Sequence, residues 1–394
     1  MSLFSRNDSA CKLVFDIGSG SVGGAIVLAS DGSAPTVLYS FRSEIPFQTE
    51  AVGSRLLSLM LRSLAQVTLA LVNEGFEAAG LAKKRPKISE TFVSLSAPWT
   101  TSRTSLLSFQ SREPVRITKD IFIELLRHSE DELRETRKGA LKGSAQIERE
   151  LVTSVLNGYE SAAPYEKTAR EANFTLFRSF SPARVTGAVV ETITSLVHTG
   201  TLHFHSFAFL LFSAMRRLPA PEKHFLAMDV SGEQTELLSV AGGAPVQAAT
   251  FPLGRNRLIR ALGKGAGLPP SVAASLIGLY VEEKGSGKLF ERVKRTLARA
   301  ETEWVSEYLR ALQDFSEEAL FPTTVFIAAD SDVMPIFTRA VLRADGALFP
   351  VAVRGFRAVP VQSELLSPLV AWSSPDARDP FIGVVASFAC PRNA

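Results

Sequence analysis

Two segments of the chain place an aspartate directly before a run of small and polar residues. The first reads Asp16-Ile17-Gly18-Ser19-Gly20-Ser21, and the second reads Asp229-Val230-Ser231-Gly232-Glu233-Gln234-Thr235. A turn of Gly and Ser lets backbone N–H groups approach phosphate oxygens closely, and an aspartate at the end of the preceding strand can hold a hydrated Mg²⁺ beside that phosphate. The two segments therefore predict a pair of backbone cradles for a phosphorylated ligand.

The candidate binding residues are the small and polar members of both segments. They are Asp16, Gly18, Ser19, Gly20 and Ser21 in the first segment, and Asp229, Ser231, Gly232, Gln234 and Thr235 in the second. Asp16 and Asp229 are also the candidate Mg²⁺ ligands, each acting through a water molecule. The sequence identifies no catalytic group.

The first segment also matches the dinucleotide fingerprint G-x-G-x-x-G, from Gly18 to Gly23. That fingerprint requires a helix directly after the glycines, because the helix N-terminus receives the pyrophosphate. Here the glycines lead into the apolar run 25–28, which is typical of a strand. The carboxylate of Asp16 would in addition repel a pyrophosphate. We therefore reject a dinucleotide site of this type.

Each candidate loop lies between two predicted strands. Residues 13–28 and 226–240 both read as a buried strand, a short turn and a second strand. Two such hairpins suggest a duplicated fold with a cleft between its halves. The other predicted elements of these halves are helices at 56–72, 182–198, 208–218, 282–318 and 335–342, and strands at 202–207, 325–329 and 381–389.

Segment 86–180 reads as a compact unit between two better-defined blocks. Its predicted order is strand, helix, strand and strand, with strands at 92–96, 152–156 and 174–180. Thr118 is placed to cap the helix, which runs from Lys119 to Arg137.

Length and composition limit the remaining possibilities. A chain of 394 residues with 46% hydrophobic residues suits two or more domains. A net charge of +3 and two cysteines give no sign of a nucleic-acid partner or of a disulfide framework, and they fit a reducing cytosol. The most apolar run, 204–215, is shorter than the roughly 20 residues of a membrane span.

This layout resembles the actin and sugar-kinase superfamily, and within it the bacterial actin-like FtsA and PilM proteins. The loop Asp16 to Val22 is close to the usual PilM loop, unit 86–180 matches the subdomain that both proteins insert, and Phe251 to Asn256 is similar to their Gly-Gly-Asn-like segment. The resemblance covers Lys12 to Ala389. It implies an α/β, duplicated actin-like (ribonuclease H-like) fold that binds ATP and Mg²⁺ between two domains.

The resemblance also implies a domain division and an adenosine loop. The first actin-like domain is expected at 12–85, 181–223 and 365–394, the inserted subdomain at 86–180, and the second actin-like domain at 224–364. Residues 325–335 occupy the place of the adenosine loop, which adds Ala328 and Ala329 to the candidate nucleotide-binding residues.

Several residues depart from the family pattern. Glu233 replaces a glycine where backbone should meet phosphate, and Ala328-Ala329-Asp330-Ser331 replaces paired glycines at the adenosine loop. Ser21 and Gly23 stand where FtsA and PilM, respectively, have a lysine. We therefore expect ATP binding that is weak or vestigial, and at most a weak ATPase.

The function implied by the resemblance is a cytoplasmic scaffold or adaptor, peripheral to the inner membrane through a partner. The expected partner is the cytoplasmic tail of an inner-membrane protein in type IV pilus assembly, or a division-ring protein. The chain ends at Ala394 directly after its last predicted strand, so we expect no direct membrane insertion. An FtsA-like division protein that self-associates into filaments and an ATP-dependent small-molecule kinase are the alternatives.

Two aromatic features outside the loops remain open from sequence. His203 and His205 share one face of a predicted strand and read as a packed or hydrogen-bonded pair rather than a metal site. Trp99 follows Pro98 at a strand tip, where it could anchor a partner or pack against the protein's own loop.

Overall fold

The computed structural model describes residues 10–29, 33–50, 53–81, 86–138, 141–315, 322–344 and 356–389. Its strands are β1 (Ala10–Ile17), β2 (Ser21–Ala29), β3 (Thr36–Glu44), β4 (Ile88–Leu95), β5 (Thr101–Arg116), β6 (Ser144–Leu156), β7 (Tyr159–Glu160), β8 (Thr168–Pro182), β9 (Thr201–Ser206), β10 (Phe225–Val230), β11 (Thr235–Ala241), β12 (Ala244–Phe251), β13 (Thr324–Ala329), β14 (Arg357–Pro360) and β15 (Ala371–Trp372).

Its helices are α1 (Gly53–Ala70), α2 (Phe76–Ala78), α3 (Lys119–Lys138), α4 (Ala183–Leu196), α5 (Phe207–Arg216), α6 (Arg255–Ala266), α7 (Pro270–Val281), α8 (Gly287–Gln313), α9 (Met334–Arg343), α10 (Ser363–Leu366) and α11 (Pro380–Ala389). A π-helical turn, Leu71–Gly75, joins α1 to α2.

The strands form two sheets of the same design and a third, inserted sheet. The first has the order β15-β3-β2-β1-β4-β9 and the second has the order β12-β11-β10-β13-β14. Both sheets contain three antiparallel strands, β3-β2-β1 in the first and β12-β11-β10 in the second. The next strand in each sheet is parallel to the last of these three, so β1 corresponds to β10 and β4 corresponds to β13. The predicted duplicated α/β fold is therefore confirmed.

Apolar faces on both sides of the sheets explain why these sequences fold as they do. Helices α1 and α4 cover one face of the first sheet, where Leu56, Met60, Leu64 and Val67 of α1 join the core. Helices α5 and α11 lie between the two sheets, and α6, α8 and α9 cover the outer face of the second. Residues Gly53–Ala78 are long and apolar enough to cross a membrane by length and composition, and this core packing accounts for their apolar side chains.

The inserted unit is an antiparallel sheet, of order β5-β8-β6-β7, covered by α3. The predicted order of strand, helix, strand and strand is present, and the Thr118 hydroxyl accepts a hydrogen bond from the Ile121 N–H. The predicted strand 92–96 falls largely in β4, which pairs with β1 and β9 in the first sheet. Because the inserted sheet begins at Thr101, we propose 101–182 for this unit in place of 86–180.

One predicted element has the wrong structure. Residues 381–389 were expected to form a strand, but they form helix α11, whose buried side chains pack against α5 and the first sheet. Asp379 begins this helix: its carboxylate accepts a hydrogen bond from the Ile382 N–H, and Pro380 follows it at the first helical position.

Candidate functional site

The β1–β2 loop and the β10–β11 loop meet between the two domains. The backbone N–H of Ser19 donates to Ser231 Oγ at 2.9 Å, and the two serine hydroxyls lie 3.0 Å apart. The backbone N–H of Glu233 donates to Ser19 Oγ at 2.8 Å. The expectation that the two loops face one another is confirmed, and they do so in direct contact.

The contact between the loops depends on glycine. A Cβ added at Gly232 would lie 2.5 Å from the Gly20 nitrogen, and one added at Gly20 would lie 3.1 Å from the Gly232 Cα. The cavity lined by both loops has a volume of about 10 Å³. That is about the volume that one water molecule requires.

Asp16, the first candidate Mg²⁺ ligand, is already paired with a cation of the chain. Arg42 of β3 donates to Asp16 at 3.0 Å, to both oxygens of Asp379 at 2.7 and 3.0 Å, and to Ser21 Oγ at 2.9 Å. Burial raises the pKa of Asp16 to about 6, although Arg42 opposes this effect. The guanidinium also lies 4.9 Å from the centre of the Phe381 ring.

Asp229, the second candidate ligand, is buried at the matching place in the second domain. It makes no ion pair with the described residues, and burial raises its pKa well above the ordinary value. The Ser96 hydroxyl opposes this shift, whereas Asp16, Glu236 and Asp330 increase it. The surroundings of Asp229 therefore favour its neutral, protonated form.

Glu233 turns away from the loop contact and meets a cation. Its Oε1 accepts from Asn256 Nδ2 at 2.8 Å and from Arg260 Nη2 at 2.7 Å. Arg260 also donates to the carbonyl oxygens of Gln48 and Thr49 in the first domain, at 3.1 to 3.2 Å. The acidic side chain that replaces a family glycine thus belongs to a clamp between the domains.

The remaining candidates of the second loop are held within their own domain. Thr235 Oγ1 donates to the Leu253 carbonyl at 2.7 Å and accepts from Trp304 Nε1 at 3.1 Å. The Gln234 carbonyl accepts from the Ser231 N–H at 3.0 Å, which closes the turn.

The adenosine-loop candidates lie on the same strand edge. Ala328 and Ala329 are buried at the end of β13, paired with Asp229 and Val230 of β10. Asp330 follows them and lines the small cavity between the loops. Burial raises the pKa of Asp330, and Arg255 and Arg42 oppose this shift.

This arrangement does not fit MgATP. A ligand of that size needs a cavity of several hundred Å³, whereas about 10 Å³ lies between the loops. Several backbone donors of the loops, including the N–H groups of Gly18, Ser19 and Glu233, already bond to protein oxygens. Among the described residues, no group of three or more His, Cys, Asp or Glu side chains is placed to hold a metal ion.

Sequence reasoning missed the three side chains that control this site. Arg42 and Arg260 lie on a strand and a helix with no motif that marks them. Asp379 had a usable signal, because Asp379-Pro380 before an apolar run is typical of a helix start.

The structure shows the contacts of Trp99, His203 and His205, which the sequence left open. Trp99 is buried, and its Nε1 donates to the Gly18 carbonyl at 2.8 Å, so it supports the first loop. His203 lies 3.1 Å from Glu90, and His205 lies 2.7 Å from the buried Glu148. Each histidine is thus hydrogen-bonded to a different glutamate, in agreement with the expected packed or hydrogen-bonded side chains.

Two surface grooves that are lined by described residues are large enough for a ligand. The first, of about 590 Å³, lies between α4, the outer edge of β9 and the start of β6. The second, of about 560 Å³, lies between α6 and α8. The first is lined by apolar and His side chains, and the second is strongly basic. The basic residues of the second groove are Arg257, Lys264, Arg292, Arg295 and Arg299.

Comparison with known proteins identifies the fold of the chain. No known protein family matches the chain, and no curated protein matches it in sequence. Among solved structures, a chain of the PilM–PilN type IV pilus biogenesis complex has a TM-score of 0.60 at 16% identity, with 96% of this chain and 97% of that chain covered.

The chain has the actin-like fold. This confirms the structural resemblance to PilM that the sequence predicts. Two further structures match with lower TM-scores. The ethanolamine utilization protein EutJ from Carboxydothermus hydrogenoformans has a TM-score of 0.46 at 8% identity, covering 98% of this chain and 91% of that chain. A diol dehydratase-reactivating factor has a TM-score of 0.47 at 10% identity, covering 87% of this chain and 96% of that chain.

Proposed function

We propose that the protein is an actin-like adaptor of the PilM type, which binds the cytoplasmic tail of an inner-membrane protein during type IV pilus assembly. The likeness to a chain of the PilM–PilN complex over nearly the whole length supports the fold that this role requires. The tail binding itself is supported by the groove beside β9, which we name the β9 groove.

The β9 groove has the shape and chemistry that suit an extended peptide. Strand β9 is the last strand of the first sheet, and no described strand pairs with its outer edge. An extended segment can add to such an edge through main-chain hydrogen bonds, while alternate side chains enter pockets beside it. The groove offers apolar contacts from Ile147, Val190, Leu202 and Phe204.

Ion pairs and hydrogen bonds hold the side chains beneath the β9 groove in place. Glu90 of β4 binds both His203 and Lys12, at 3.1 and 2.8 Å. Glu148 accepts hydrogen bonds from the hydroxyls of Ser179 and Ser206, at 2.8 and 2.9 Å, which joins the inserted unit to β9. A preformed groove of this kind binds a flexible tail with little loss of conformational entropy in its own side chains.

Under this proposal the protein acts in the cytoplasm and reaches the inner membrane through its partner. This role requires no ATP hydrolysis, because the ligand that the protein recognises is a peptide. The alternative is an FtsA-like cell-division protein that forms filaments. Sedimentation of the purified protein with and without ATP tests whether filaments form.

The experiment fills the groove at a glycine. Gly187 lies on α4 in the groove lining, and an added Cβ would meet nothing within 4 Å, so Gly187→Phe enters the groove without a clash at Cβ. We expect binding of a synthetic peptide of the cytoplasmic tail of the PilN-type protein to weaken by about tenfold or more, since a filled pocket loses at least 1.4 kcal/mol of contact.

Gly278→Phe is the matched control. Gly278 is also helical, with nothing within 4 Å of an added Cβ, but it lies on α7 outside the groove. Equal peptide affinity for Gly187→Phe and the unaltered protein would refute the assignment of the groove. Loss of binding in Arg295→Ala/Arg299→Ala alone would place the tail in the basic groove between α6 and α8.

A further inference from the structure

We propose that the chain has converted the actin-like nucleotide site into a fixed joint between its two domains, so that the domains stay closed without ATP or Mg²⁺. This inference does not depend on the tail-binding proposal. It rests on contacts that occupy the places where the fold would receive phosphate and metal ion, and on contacts that join the domains beside them.

The first part of the joint is the loop contact, which we name the serine clasp: Ser19, Ser231 and the backbone N–H of Glu233. A phosphate-binding loop presents its N–H groups to the ligand. In the serine clasp, the N–H of Ser19 donates to Ser231 Oγ and the N–H of Glu233 donates to Ser19 Oγ. One N–H group of each loop is thus satisfied by the serine of the opposite domain.

The N–H groups at the start of α6 are satisfied by carbonyl groups of the β10–β11 loop in the same domain. The N–H of Arg255 donates to the Ser231 carbonyl at 3.0 Å, and the N–H of Asn256 donates to the Gly232 carbonyl at 2.8 Å. A Cβ at Gly254 would lie 2.2 Å from the Ser231 carbonyl oxygen, so this helix end is pressed onto the loop. Its N-terminus therefore offers no open anion site.

The second part of the converted site is Arg42, which lies within the first domain and supplies the positive charge that a metal ion would bring. It contacts Asp16 and Asp379 together, and its side chain is largely buried. A guanidinium held by two carboxylates has its donors directed at them in fixed geometry. A cation approaching Asp16 would have to displace this arginine and meet its repulsion.

The third part of the joint fixes the domains on either side of the clasp. Arg260 of the second domain binds the Gln48 and Thr49 carbonyls and stacks 5.5 Å from the centre of the Phe47 ring. On the side of the inserted unit, Ser102 Oγ donates to Glu236 Oε1 at 3.1 Å. Opening the cleft for a triphosphate would break these contacts together with the serine clasp.

Hydrogen exchange and calorimetry on the full-length protein test the joint. We expect the amides of Ser19 and Glu233 to be protected from exchange without nucleotide and unchanged by about 1 mM MgATP or MgADP. We expect no saturable heat on titration, and a change in melting temperature of less than about 1 °C.

Two results would overturn the proposal. Fast exchange at both amides without nucleotide would show that the clasp is open in solution. A dissociation constant near 100 µM or tighter, which at about 1 mM nucleotide would raise the melting temperature by about 2 °C, would show that the cleft admits the ligand.

A double substitution checks that the clasp itself is responsible. Ser19→Ala/Ser231→Ala removes both hydroxyls, and we expect exchange at the amides of residues 19 and 233 to accelerate by about tenfold or more. Ser58→Ala is the matched control, because the Ser58 side chain is exposed and its hydroxyl donates to the Ser54 carbonyl within helix α1. Unchanged protection in the double variant would refute the clasp, and the exchange data on the unaltered protein decide the matter if that variant fails to fold.

Discussion

Glu236 gives a pH dependence of stability that can be worked out from its surroundings. This β11 carboxyl is 1% exposed and accepts one hydrogen bond, from Ser102 of the inserted unit. Burial raises its pKa from 4.5 to about 7; the Ser102 hydroxyl opposes the shift, and Glu148 adds to it. A folded-state pKa above the unfolded value means that the folded state prefers the protonated acid.

The sign and size of the effect follow from this difference. The contribution of Glu236 to stability is complete below pH 4.5 and is lost as pH rises through about 7. A pKa of about 7 rather than 4.5 corresponds to roughly 3 kcal/mol of unfolding free energy once the carboxyl is fully ionised. Between about pH 5 and pH 8 the protein should lose about 2.5 kcal/mol through this residue alone.

Glu236→Gln isolates that contribution, since glutamine keeps the acceptor for Ser102 and cannot ionise. Asp16, Asp229 and Asp330 also have raised pKa values, but they act in both proteins. In urea unfolding, the free energy of the variant relative to the unaltered protein should rise by about 2 to 3 kcal/mol from about pH 5 to pH 8.

The control for this measurement is Glu303→Gln. Glu303 is 43% exposed and pairs with Arg257, so its replacement should change the unfolding free energy by less than about 1 kcal/mol. If Glu236→Gln differs from the unaltered protein by the same amount at both pH values, the argument from burial is wrong.

Two further changes test the packing of the site. Arg42→Met leaves two carboxylates without their cation and should cost about 3 kcal/mol or more in urea unfolding near neutral pH, where a loss below about 1 kcal/mol would contradict the proposed role of this arginine. Gly232→Ala places a Cβ 2.5 Å from the Gly20 nitrogen, so it forces the two loops apart and should cost about 1 to 3 kcal/mol. Gly278→Ala, in an open helical position, should instead stabilise by about 0.5 to 1 kcal/mol, and equal effects of the two alanines would refute the close loop contact.

The hairpins and their duplication could be predicted because they depend on local pattern. Each combines a buried apolar strand, an aspartate and a turn of small residues, and the structure pairs Asp16 with Gly23 and Asp229 with Glu236 across the two hairpins. The long helix α8 was likewise found from apolar spacing, with Phe290, Trp304 and Tyr308 on its buried face. Local periodicity is the strongest signal a single sequence carries.

The errors came from features that local pattern does not determine. Residues 381–389 are apolar throughout, and a short apolar run fits a buried strand as well as a buried helix. The aspartate and proline at 379 and 380 are the signals that distinguish the two, because this pair before an apolar run is typical of a helix start. The sequence places strand β4 in the inserted unit, although its partner β1 lies far away in sequence.

The candidate site shows most clearly what a motif of small residues can and cannot predict. Gly20 and Gly232 lack a Cβ, which a loop needs in order to approach phosphate and equally needs in order to approach another loop. The residue types are the same in both cases, so the motif alone predicts close approach but not to what. The informative residues were the departures, because Glu233 reaches a cation in Arg260 and Asp330 brings a carboxylate to the cavity where a ligand's negative charge would lie.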